Sequence, residues 1–143
     1  MDKSDREWLN EPDELVWINE STGYQCALVR RGDGAWGGFV GVQNNHDFWG
    51  TDIRDIYNNL ANNLESGFDT HGGVYSTSTE IPETKAGLPI GLWWFGIHFS
   101  HFYDFSPGVD LLTDWANGSL KYRNLEYAKQ EVDYLAEQLH GFE

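Results

Sequence analysis

The chain has 143 residues, 40% of them hydrophobic and 15% aromatic, with 23 acidic against nine basic side chains and a formal charge of −14. That length predicts one domain with a sizeable core, and that apolar content excludes a disordered acidic tail. An acidic surface repels nucleic-acid phosphates and anionic lipid, and no apolar run nears the roughly 20 residues of a membrane span, so direct nucleic-acid binding and a membrane role are disfavoured. The charged stretch Met1–Glu7 has no leader-like apolar segment behind it, and the single Cys26 fits a reducing compartment. A cytoplasmic setting is expected.

Residues 1–13 are polar, with Trp8 and Leu9 as anchors, and predict a loosely held arm ahead of a single domain spanning 14–143. Leu15–Ile18 reads as a short strand, followed by a turn at Asn19–Gly23. Tyr24–Arg31 is a second strand, with Tyr24, Cys26, Leu28 and Arg30 on one side and Gln25, Ala27, Val29 and Arg31 on the other. Gly32-Asp33-Gly34 predicts a hairpin turn into a paired strand over Ala35–Val42. Gln43–Gly50 is a loop. Thr51 or Asp52 caps a helix through Ile53, Ile56, Tyr57, Leu60 and Leu64, with Gly67 as its stop.

Asp69–Ser76 holds the paired glycines and a short strand at Val74–Ser76, and Thr77–Pro89 is a polar connection suited to a flap. Ile90–Ser100 is apolar enough for a central strand. Pro107–Ala116 predicts a short helix bearing Leu111, Leu112 and Trp115. Tyr122–Leu139 is a final helix with Leu125, Ala128, Val132, Leu135, Ala136 and Leu139 on its inner face. The sum is an α+β domain, mainly an antiparallel sheet of about four to five strands packed by two to three helices.

The chemistry concentrates in Leu92–Pro107, which holds His98, His101, Asp104 and seven aromatic residues. His98 and His101 fall on opposite faces if the strand runs through both, and come together on a turn. Asp104 continues the spacing. A divalent metal accepts such nitrogen and oxygen donors when three or four converge, and the candidates are His71, His101 and Asp104. Stacking on aromatic neighbours is the structural alternative. In His71-Gly72-Gly73 the glycines permit close backbone approach to a ligand, or simply a tight turn. Cys26, mid-strand, is expected to pack in the core.

Several segments resemble a family of small, mostly uncharacterised bacteriophage and prophage proteins. They are Gly38-Phe39-Val40-Gly41-Val42, His46-Asp47, His71-Gly72-Gly73-Val74-Tyr75, Trp94-Phe95-Gly96-Ile97-His98-Phe99-Ser100-His101-Phe102-Tyr103-Asp104, Tyr122-Arg123-Asn124-Leu125-Glu126-Tyr127-Ala128, and Leu135-Ala136-Glu137-Gln138-Leu139. The similarity runs in order from about Tyr24 to Leu139. His98 stands where the family pattern has aspartate, and Ser100 where it has cysteine. The resemblance implies a phage accessory protein without naming an activity.

The leading expectation is a non-enzymatic accessory protein in the host cytoplasm. It would bind and inhibit or sequester a host component, a defence component among the candidates, or a small signalling ligand. Trp93, Trp94, Phe95, His71 and Tyr103 are expected to line a pocket for a planar ligand. His46, Gly72, Gly73, His98, His101 and Asp104 complete the expected ligand-binding set. His71, His101 and Asp104 are expected in one cleft beside Trp93-Trp94, with the final helix behind the sheet. A metal-dependent hydrolase using His46, His71, His101 and Asp104 is the alternative, its metal activating a water. An acidic nucleic-acid mimic is the third, resting on charge alone.

Overall fold

A computed structural model describes residues 6–63, 68–81, 84–85 and 87–142. Its framework grows from the predicted hairpin. β1 (Glu14–Ile18), β2 (Gln25–Arg30) and β3 (Trp36–Val42) form an antiparallel meander. At the β2–β3 turn Gly34 takes φ +85°, a conformation that glycine adopts without steric cost. After α1 (Ile53–Asn63) come β4 (Ser76–Ser78) and β5 (Trp93–His98), which complete one five-stranded antiparallel sheet in the order β1-β2-β3-β5-β4. β3 is therefore the central strand, and β5 lies beside it. The fourth strand begins two residues later than Val74 and the fifth is trimmed at both ends; Ile90 is 97% exposed.

Both faces of β3 are covered, so its side chains divide by alternation. Trp36, Val40 and Val42 join the main core with Cys26, Leu28, Phe95 and Ile97. Phe39 points the other way, into a smaller cluster with Ala27, Val29, Ile81 and Trp94. α3 (Leu125–His140) lies on the first face and buries Ala128, Val132, Leu135, Ala136 and Leu139. Asn124 caps it, its side chain accepting from the Tyr127 backbone N–H at 2.8 Å. Close packing of α3 on β3 depends on Gly38, where an added Cβ would lie 2.5 Å from Val132 Cγ2. α1 adds Ile56 to the same core, and the Tyr57 hydroxyl donates to the Val74 carbonyl.

The described part of the arm, residues 6–13, is more firmly held than its polarity suggests. Trp8 packs against Phe105, Trp115 and Tyr122, with ring centroids 5.0–5.1 Å apart. Glu11 pairs with Arg30 and accepts from the Tyr122 hydroxyl and the Leu125 N–H. α2 is short (Leu112–Ala116) and leaves Leu111 and Leu112 exposed; only Trp115 packs inward. The expected helix stop at Gly67 and the Leu64 position lie outside the described residues. No described helix is long and apolar enough to cross a membrane.

Candidate functional site

β5 ends at His98, at the same end of the sheet as the β2–β3 turn, and the chain then folds tightly over residues 99–104. That turn carries Asp104 inward until its side chain has no exposed surface. A buried carboxylate needs donors in place of water, and it has them. Arg123 Nε donates to Oδ1 at 2.7 Å. Oδ2 receives the ring of His71 at 2.8 Å, the backbone N–H of His101 at 3.0 Å and the ring of His101 at 3.2 Å. Burial, the largest single influence, pushes the Asp104 pKa up, but the bonds from His71, Arg123 and the His101 N–H together outweigh it and hold the pKa at about 2.

With Asp104 ionised, the proton between it and His71 belongs to Nε2. In the neutral ring Nδ1 then accepts from the Tyr127 hydroxyl, 2.8 Å away. The relay Tyr127–His71–Asp104–Arg123 thereby ties the first turn of α3 to the glycine loop and to the turn after β5. His71 also stacks on Phe99, with centroids 4.9 Å apart and planes 18° from parallel.

Gly72 explains the placement of His101. It takes φ +71°, and a Cβ built there would come within 2.1 Å of His101 Cε1 and Nε2. The glycine thus admits the imidazole edge, which is the close approach expected of it, made to a side chain of the same chain. On its faces His101 stacks between His98, at 4.2 Å, and Tyr103, at 5.4 Å. His98 meets Ser100 Oγ through Nδ1, and Tyr75 packs edge-on against it. Burial first, and then the neighbouring His101, push the His98 pKa down to about 4, so its ring is neutral at pH 7.

One ligand atom from each of His71, His101 and Asp104 lies within 4.8 Å of the others. Three such donors and a water would complete a catalytic zinc set. The donor set fits in kind, but a metal would displace the ring protons now directed at Asp104 Oδ2, an oxygen that already accepts three hydrogen bonds. As it stands, the arrangement holds a charge and fixes three chain segments.

The other expected residues divide. Gly73, at φ +77°, continues the same turn, with Tyr57 beneath it. Tyr103 joins the stack. His46 lies apart from the group: it is buried, hydrogen-bonded to the Leu139 carbonyl and the Phe48 N–H, and packed between Tyr24 and Phe48. The expected Trp93–Trp94 pocket does not form, because adjacent strand residues face opposite ways. Trp94 enters the smaller cluster; Trp93 packs at the main core and donates to the Thr51 carbonyl. Phe95 is fully buried. Arg123 and Tyr127 belong to the network although neither stands in the expected ligand-binding set. The signal for Arg123 was that a buried carboxylate among so few bases needs a cation.

No family model, curated protein or solved structure matches the chain. The fold and site define a class: a small α+β domain with a five-stranded antiparallel sheet and a carboxylate-centred histidine, arginine and tyrosine network at one sheet end.

Proposed function

We propose that this is a phage-type accessory protein that acts by binding and inhibiting a host protein. The observation that carries the reading is Phe102, which is 92% exposed on the turn that Asp104 fixes. A large ring held in water by a fixed backbone has lost the chance to fold away, and it presents apolar area at low entropic cost on binding. Tyr103 meets it edge-on at 5.1 Å and widens the contact. The charge of −14 suits a basic surface around an apolar socket. The resemblance to phage proteins supports a partner in the host, with a defence component the first to test. Expressed in a host carrying a phage-defence system, the protein should restore plaque formation. Phe102→Asp should abolish that effect without lowering the melting temperature. A wild-type protein without effect on any defence, or a Phe102→Asp variant equal to it, overturns the reading.

A metal-dependent hydrolase is the second reading, favoured by the convergence of His71, His101 and Asp104. These three would hold the ion, and a bound metal supplies a water ionised near neutral pH. His46 has no part in this set. Stoichiometric zinc or manganese in the purified protein, lost in Asp104→Asn, is the expected signature. Metal-free protein with no thermal shift on adding either ion removes this alternative.

A further inference from the structure

Opposite α3, the sheet face is only partly covered. Ile81, Leu88 and Leu92 close over Ala27, Phe39 and Trp94. The neighbouring cross-strand row is Val29, Gly37 and His98, paired in register across β2, β3 and β5 and so sharing one face. Gly37 leaves a gap in that row. A Cβ there would lie 3.3 Å from the Phe39 ring and 3.5 Å from Arg31 Cγ, so these two side chains lean in over the missing one. The result is a hollow of about 240 Å³ lined by Val29, Arg31, Gly32, Gly37, Phe39 and Tyr75, together with Arg30.

We propose that this groove is a small-molecule site for a planar aromatic ring carrying one acidic group, carboxylate or phosphate. Phe39 and the half-exposed Tyr75 supply apolar and aromatic walls for the ring. Arg31 supplies the cation. Its buried Nε pairs with Asp33 Oδ2 at 3.5 Å, and the side chain as a whole is 37% exposed. The outer guanidinium N–H groups are directional and match the geometry of a carboxylate or phosphate. His98 borders the groove through Tyr75, which packs edge-on against it. The volume limits the ligand to a ring and one substituent, and the acidic surface turns away polyanions. The groove shares no lining residue with the Phe102 turn.

The test is a titration of the full-length ¹⁵N-labelled protein with benzoate, phenyl phosphate and the neutral isostere benzamide. The anions should shift the amides of Gly32, Gly37 and Tyr75, and benzamide should bind about tenfold more weakly or worse, as losing a charge-assisted hydrogen bond implies. Arg31→Met, which keeps the apolar stem, should bring both anions to the benzamide level; Tyr75→Ala should weaken all three probes. Phe102→Asp should bind the anions like the wild type, which separates this site from the host-protein surface. Binding of only one anion supports the site and names its acid. Absence of shifts at these amides with either anion, equal affinity for benzamide, or unchanged affinity in Arg31→Met overturns it.

Discussion

A carboxylate with no exposed surface persists only where donors replace its water, and Asp104 has four: Arg123, the rings of His71 and His101, and the His101 N–H. Because its pKa falls from 3.8 to about 2 on folding, Asp104 contributes about 2 kcal/mol above pH 4, lost as pH drops through 2. His98 acts in a higher window. Its pKa falls from 6.5 to about 4 on folding, so between those values the unfolded chain binds the proton first and stability declines as pH falls. Urea midpoints measured across pH should therefore decline in two stages. His98→Gln should flatten the upper stage and leave the lower; an unchanged upper stage assigns it to another group. Gly72 is a third such position. Gly72→Ala combines an unfavourable φ with a collision against the His101 ring. It should cost more than about 1 kcal/mol and shift the ring resonances of His101, and a variant as stable as wild type would show that the imidazole is free to move.

Between elements, the decisive contact is β3 against α3. Gly38 faces Val132 so closely that a methyl group would overlap its Cγ2. Gly38→Ala should cost about 1–3 kcal/mol by overpacking. Val132→Ala opens a cavity by itself but makes room for that methyl, so the double variant should be more stable than the sum of the two single losses predicts. Denaturation of all four proteins closes the cycle, and strict additivity would mean that α3 shifts to accommodate the change. The same logic explains the docked arm: Trp8 fills a socket of Phe105, Trp115 and Tyr122 assembled from segments about a hundred residues away in sequence.

At the scale of the molecule, a charge of −14 on a single small domain repels itself and weakens the compact state. Added sodium chloride shortens the Debye length to about 3 Å at 1 M, which should raise the melting temperature. A melting temperature that falls with salt would mean that solvent-accessible ion pairs such as Lys129–Asp133 outweigh the net repulsion. The acidic surface also sets the terms for binding: both the Phe102 turn and the Arg31 groove expose groups unlike their surroundings, an apolar ring in one case and a cation in the other.

Local pattern alone determined the α+β class, the β2–β3 hairpin and the inner face of α3; it made His71, His101 and Asp104 candidates, and only the fold brings them together. Each of these local readings follows from periodicity, from glycine conformation, or from residue chemistry repeated over a few positions. Tertiary structure decided the rest. Whether His98 and His101 meet depended on where β5 ends: stopping at His98 turns opposite strand faces into a ring stack. Trp93 and Trp94 parted because the strand includes both. His46 was drawn to the end of α3 by the Leu139 carbonyl, a partner 93 residues away. Tyr127 entered the site because α3 packs there, and Arg123 because the segment ahead of α3 bridges to Asp104 through Lys121; no local spacing encodes either. The physical reason is range: backbone preference and side-chain period act over a few residues, whereas burying a charge or filling a gap joins segments that only the folded chain brings together.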